Sequence, residues 1–307
     1  MTINNKKLIV FGDSSSFITH ILYKKLVQEI TNSNFEIVKV VNTTPFISTN
    51  YTKKLLVFIV KKLFNPFDNR IKYNKYPTFL QDVDKSLLLE TANVNDKNFI
   101  AKINHINPDV ALLIGCPQIF KSEIIGCFAK VINYHNSLLP KYRGLEATSW
   151  SMQYNETYTG FTYHYVDKGI DTGNIIIQDQ IEIDYEKSSR ELEIEKTKLA
   201  AKQLTKLLSL VLEGYEGITQ SGANSYFGNK DKAKLLTRQE LKDRQMIEKL
   251  IYIWGGIFVQ QHKRTIFVTR IKNGKITRIN YLPPFVFYLY QTVKSVFSYS
   301  GKSDTQY

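Results

Sequence analysis

The opening of the chain limits its fold more than any other stretch. An apolar run, Leu8–Phe11, leads into a polar turn, Gly12-Asp13-Ser14-Ser15-Ser16, then an amphipathic segment over Phe17–Ile30 and a Val- and Ile-rich run, Phe35–Val41. Short apolar runs suit strands buried on both faces, and two of them joined through a helix make a βαβ unit with parallel strands. Asp96 stands where a helix N-cap belongs, the helix runs to Ile106, and Pro108 follows as a stop signal. Val110–Ile114 and Val131–Tyr134 read as a third and a fourth strand, and Glu146–Tyr154 as a helix. Thr159–Val166 and Asn174–Ile183 alternate like paired strands, and Tyr185–Gly214 reads as one long helix.

The expected fold class is α/β: a Rossmann-like, mostly parallel sheet with helices on both faces, over residues 1–217. Past Gly217 the texture changes. Lys249–Phe258, Thr265–Ile271 and Lys275–Leu282 read as short antiparallel strands, with Asn273-Gly274 as a hairpin turn. Residues 218–307 are therefore expected to form a small β-rich region, ending in a polar, flexible tail at Ser300–Tyr307. A chain of 307 residues is long enough for both parts.

Ligands of open α/β sheets bind at the carboxyl ends of the strands. At the end of the fourth strand stand Asn133 and His135, two apart and so on one side of it. The turn Asp167-Lys-Gly-Ile-Asp171-Thr-Gly173 can bring a carboxylate to them. An amide can donate to an oxygen that gains charge, and an imidazole can take and return protons. A carboxylate can orient that imidazole and stabilise its charged form. Acyl transfer to an amine needs no Ser or Cys nucleophile beside these three. Taken alone, the spacing favours a structural histidine, and Asp171 fits an ordinary Asp-Gly turn equally well.

The segments around the trio are more specific. Asn133-Tyr-His135, Ser137-Leu-Leu-Pro-Lys-Tyr-Arg-Gly144 and Gly169-Ile-Asp171-Thr-Gly173 together resemble the folate-dependent formyltransferase family. That family includes methionyl-tRNA, glycinamide ribonucleotide and nucleotide-amino-sugar formyltransferases. Pro108-Asp109-Val110 through Gly115-Cys-Pro-Gln-Ile-Phe120 is similar to the strand and loop that hold the pteridine. The resemblance covers Asn95–Ile183 well and the first strand and helix more loosely. It implies 10-formyltetrahydrofolate as donor, Asn133 stabilising the oxyanion, His135 as acid/base and Asp171 positioning His135. It further implies a donor site at Ile114, Gly115, Cys116, Pro117, Gln118, Ile119, Leu139 and Asp167, and an acceptor site that includes Arg143.

The acceptor is less legible. Gly12-Asp13-Ser14-Ser15-Ser16 has one glycine and no dinucleotide fingerprint. Gly12, Ser14 and Ser15 with the following helix N-terminus suit an acceptor phosphate, or equally a plain cap; Asp13 argues against an anion. Tyr226-Phe-Gly-Asn-Lys-Asp231 resembles a segment of sugar formyltransferases, and Tyr226 is the candidate to stack on a nucleotide base. The preferred acceptor is a small molecule, phosphorylated or nucleotide-linked, with an amino sugar first.

The competing acceptor is tRNA. The net charge of +13 favours anionic partners, and Lys53, Lys54, Lys61, Lys62, Arg70, Lys72 and Lys75 crowd the stretch from Tyr51 to Leu80. Ile251–Phe258 and Arg264–Arg270 distantly resemble the start of the C-terminal domain in the tRNA-specific subgroup. The C-terminal aromatic segment and the first loop depart from that subgroup's pattern. A catalytically silent binding protein on this fold is the third reading, opposed by the intact trio.

Thr52–Phe64 and Phe285–Phe297 mix large apolar residues with lysines, which suits core packing, a homodimer contact or an anionic membrane surface. Leu55–Val60 is too short to span a membrane, and Pro283, Pro284, Gln291 and Lys294 interrupt Tyr281–Tyr299. No secretory signal precedes Leu8, so a cytoplasmic location and reduced, buried Cys116 and Cys127 are expected, with no metal site.

Overall fold

The computed structural model describes residues 5–31, 33–43 and 78–228, the single residues Gln245 and Ile253, and the strands at 257–261, 264–272 and 275–282. The basic and apolar stretch from 51 to 77, Asn273-Gly274, Phe285–Phe297 and the tail at Ser300–Tyr307 lie outside these residues.

Strand β1 (Lys6–Gly12), helix α1 (Phe17–Ile30) and strand β2 (Phe35–Asn42) form the expected βαβ opening. A short 3-10 turn at Phe79–Asp82 and a three-residue strand, β3 (Leu88–Glu90), follow. Helix α2 (Lys97–Ile106) starts on Asp96, whose carboxylate accepts from the N–H groups of Asn98 and Phe99. It stops at Asn107, which takes the left-handed conformation before Pro108. Next come β4 (Val110–Ile114), the one-turn α3 (Ser122–Ile125), β5 (Lys130–His135), the two-residue β6 (Arg143–Gly144) and α4 (Ala147–Gln153). Strands β7 (Tyr158–Tyr165) and β8 (Ile175–Glu182), helices α5 (Ser189–Lys202) and α6 (Leu204–Leu212) and strand β9 (Tyr226–Phe227) complete this part.

The main sheet has the order β3-β2-β1-β4-β5-β7-β8. Strands β3 to β5 are parallel, whereas β7 and β8 run antiparallel. Its middle strands are apolar throughout because both faces are covered. On β4, Val110, Leu112 and Ile114 join Leu22, Leu26, Leu204 and Leu207 from α1 and α6. The alternate residues Ala111 and Leu113 join Phe99, Ile103 and Ile124 from α2 and α3. Each such Leu, Ile or Phe contributes about 1.5–3 kcal/mol by leaving water, so both layers hold the sheet rigid.

Two expectations change. Instead of one long helix, α5 and α6 are separated at Gln203, whose N–H bonds back three residues to the Ala200 carbonyl. The tightened turn re-phases the chain, so that Leu204, Leu207, Leu208 and Val211 all face the core. Of the strand expected at Lys249–Phe258, Ile257 and Phe258 open β10 (Ile257–Gln261), Ile253 has helical backbone, and the other residues lie outside those described. β10 pairs antiparallel with β11 (Arg264–Lys272), and β11 with β12 (Lys275–Leu282), Lys272 lying opposite Lys275. This small sheet belongs to a second compact unit, distinct from the described residues of 5–186 and 190–228. Among the described residues no helix is long and apolar enough to cross a membrane.

Candidate active site

The sheet's strand order reverses between β1 and β4, the usual ligand crevice of such folds. Residues of the β1–α1 segment reach across it to the end of β4. The Thr19 hydroxyl donates to the Ile114 carbonyl at 2.6 Å, and a Cβ on Gly115 would stand 2.9 Å from the Ser16 hydroxyl. The polar convergence lies one strand further, at the end of β5.

β5 pairs with β7 so that Asn133 faces His164 and His135 faces Thr162. The alternation that buries Ile132 and Tyr134 in one layer turns Asn133 and His135 to the other side. Asp171 reaches them from the β7–β8 connection. Its Oδ2 accepts from the Gly144 N–H at 2.8 Å and lies 3.5 Å from His135 Nδ1. Its Oδ1 lies 3.3 Å from Asn133 Nδ2 and 3.5 Å from His164 Nε2. The trio expected from the sequence is thus brought together. His164 joins it, a residue that sequence reasoning missed; only the β5–β7 register places it there.

The hydrogen bonds assign the ring nitrogens. His135 Nε2–H donates to the Tyr142 carbonyl at 2.8 Å, which leaves Nδ1, facing Asp171, as the nitrogen that can take a proton. His164 Nδ1–H donates to the Tyr165 carbonyl at 2.7 Å, so its Nε2 accepts from Asn133 Nδ2 at 3.1 Å. Burial holds the His135 pKa below the ordinary imidazole value, against the upward pull of Asp171 and the Tyr142 carbonyl. Burial pushes the Asp171 pKa up, but the two imidazoles and the Gly144 N–H outweigh it and hold the carboxyl far below its usual range.

The loop that presents Asp171 is tightly fixed. Asp167 Oδ1 accepts from the Gly169 N–H and the Thr172 hydroxyl, so this side chain shapes the turn. Gln220 Nε2 donates to the carbonyls of Asp171 and Gly173 at 2.9 and 2.8 Å. Its Oε1 accepts from Arg143 Nη2 at 2.7 Å, so Arg143 is engaged with the loop's anchor. Asp171 and Tyr142 both sit at positive φ, 53° and 59°. Non-glycine residues held there cluster at functional sites. Gly144, at φ 89°, has no alternative: a Cβ would stand 2.4 Å from the Phe227 carbonyl oxygen.

The remaining candidates divide by surroundings. Ile114 and Leu139 are core residues, and the Leu139 main chain bonds Thr162 and Gln178. Gln118 ties three segments together through Val94, Thr43 and Ala92, while Ile119 is 66% exposed. Burial pushes the Cys116 thiol up to about 11, so it stays protonated and inert. Around Gly12 and Ser14 the main chain is already used. Asp13 and Ser14 donate to Thr19 and Asn42, Ser15 and Ser16 donate back to Asp13, and the Gly12 carbonyl accepts from Thr43. β9 pairs with β6 beside the trio. There Phe227 stacks on Trp150 and Tyr142, whereas Tyr226 stays 54% exposed.

A cavity of about 320 Å³ opens at the start of β5, its walls including Ile125, Phe128, Val131, Val166, Asp167 and Gly173 but none of the trio. Val131 lies two residues before Asn133 on β5, and Gly173 two after Asp171, so cavity and trio are neighbours.

Residues 6–208 match the family model described as Formyl transferase. The methionyl-tRNA formyltransferase of Clostridioides difficile (strain 630) is 34% identical over 192 residues, which cover 61% of this chain and 55% of that protein. The chain thus spans about half the length of the curated relative it matches. Among solved structures, a sugar N-formyltransferase from Shewanella sp FDAARGOS_354 aligns with a TM-score of 0.59 at 17% identity, covering 89% of this chain and 99% of that one. The methionyl-tRNA formyltransferase from Clostridium thermocellum aligns at 0.50 and 16% identity, covering 91% and 99%. Both likenesses concern the fold.

Proposed function

Because the chain belongs to the formyl transferase family, we propose that it moves the formyl group of 10-formyltetrahydrofolate, in the cytoplasm, onto the amine of a nucleotide-linked amino sugar. One observation carries the reading: Asn133, His135 and Asp171 converge at the end of β5, beside a cavity. The cavity's chemistry suits the donor. Ile125, Phe128, Val131 and Val166 offer apolar walls for a flat heterocycle, and Asp167 offers polar atoms for its edge.

The donor supplies an activated formyl carbon. His135 Nδ1 takes the proton that the acceptor amine loses on attacking that carbon, and Asp171 stabilises the resulting imidazolium. Asn133 Nδ2, shared between Asp171 and His164, is the group that turns to the carbonyl oxygen as it gains charge. The proton returns from His135 to the departing nitrogen, so amine and donor exchange one formyl group for one hydrogen. Tyr226 supports the amino-sugar acceptor, because its half-exposed ring borders Gly144, the N–H partner of Asp171.

A second acceptor has its own support. The 34% identical relative is named for methionyl-tRNA, and the cations between Tyr51 and Leu80 suit a nucleic-acid backbone. Incubating the protein with 10-formyltetrahydrofolate and a panel of amines, and following tetrahydrofolate release by absorbance, tests the reaction. No turnover, with no donor binding by calorimetry, would reject it. Amino-sugar nucleotides formylated where methionyl-tRNA is inert support the first acceptor; the reverse supports the second.

A further inference from the structure

Lys196, on α5, is 0% exposed, an unusual position for an ammonium group. It lies outside the trio and its cavity. Its Nζ donates to the Thr148 hydroxyl at 2.7 Å, the Asn136 carbonyl at 2.9 Å and the Thr159 hydroxyl at 3.1 Å. Three hydrogens meet three oxygens, from α4, β7 and the residue directly after His135. Burial outweighs the upward pull of the Glu193 carboxylate on the same helix and pushes the Lys196 pKa down to about 7; the three oxygens around Nζ are what favours the ammonium form. A buried charge is costly even when so bonded, and an apolar residue of similar size would pack there without that cost. The Asn136 carbonyl is the informative partner. It belongs to the segment that turns His135 toward the Tyr142 carbonyl, and the Asn136 amide also donates to Thr148.

We propose that Lys196 is a positioning residue for His135, its buried ammonium clamping the main chain immediately beyond the base. The inference rests on the role proposed for His135 above. The clamp fixes the direction of the imidazole, and its charge opposes a second positive charge nearby. The titratable groups that act on His135 are Asp171 and His164 from the β7–β8 side and Lys196 from α5. Glu193, paired with Arg190 at 3.4 Å, acts on Lys196 from the same helix, and burial pushes its own carboxyl up to about 7. Removing the ammonium removes both the clamp and the repulsion, so the base becomes easier to protonate and less well aimed.

The test uses Lys196→Met, which keeps length and apolar stem, and the milder Lys196→Gln, which keeps N–H donors without charge. The deciding readout is the titration of His135 in the full-length protein by proton NMR, its signal assigned through His135→Gln. The expected result is an upward shift of about half a pH unit or more in both variants. Alongside it, kcat should fall about tenfold in the Met variant with donor KM nearly unchanged, and Gln should restore part of the loss. A His135 titration unmoved in either folded variant overturns the proposal, whatever happens to thermal stability. Should the Met variant fail to fold, the Gln variant decides alone. The titration needs no turnover, so an inactive wild-type protein would reject formyl transfer while leaving this result readable.

Discussion

Two loops of this sheet carry an aspartate beside small polar residues at the carboxyl end of a strand, and they use it in opposite ways. After β1, Asp13 turns on its own neighbours: its Oδ1 accepts from the N–H and hydroxyl of Ser15. Between β7 and β8, Asp171 gathers groups far away in sequence: Asn133, His135, Gly144 and His164. The first carboxylate completes a turn. The second gathers groups from three strands, and it is there that the proposed chemistry is placed.

The sharpest break of that contrast is Asp171→Asn. It should lower kcat by about 10²–10⁴-fold with the fold intact, as thermal melting and single-turnover formyl transfer would report. Next is Gly144→Ala. Its Cβ would collide with the Phe227 carbonyl at a φ that disfavours side chains, so β6 and β9 must part. A stability loss of about 1–3 kcal/mol by denaturant titration, and roughly a tenfold fall in kcat, are expected.

The pH profile sharpens the comparison by testing whether burial governs the base. His135 must be unprotonated to take the amine's proton, and burial lowers its pKa. The rate should therefore persist as pH falls through about 6.5 and decline only below it. An acid limb above that value would mean that Asp171 outweighs burial. The smallest effect belongs to the other loop. Asp13→Asn keeps an oxygen for Ser15, so stability should change by less than about 0.5 kcal/mol and kcat by less than about twofold.

Much of this was legible in the chain. Helices α1 and α2, the β4 run and the β7–β8 hairpin follow from local periodicity and from signals such as Asp96 and Pro108. Gln203 hid the break between α5 and α6, because one hydrogen bond to Ala200 leaves the apolar pattern almost continuous. The three-residue β3 is too short to show a period. For the site, Asn133 and His135 were readable because strand alternation puts them on one side. Asp171 was readable because the whole Gly169–Gly173 segment, together with Ser137–Gly144, resembles the family's pattern.

The sequence by itself determined the layered α/β fold, the family resemblance and the trio. Those depend on spacing along one strand or within one turn, where neighbours in sequence are neighbours in space. Only the tertiary structure decided that His164 shares Asn133 with Asp171, that Gln220 holds the loop, that Arg143 is engaged with Gln220, and that Lys196 lies buried behind His135. Each depends on which strands pair and in what register, a choice made by burying two apolar layers at once and invisible to any local pattern.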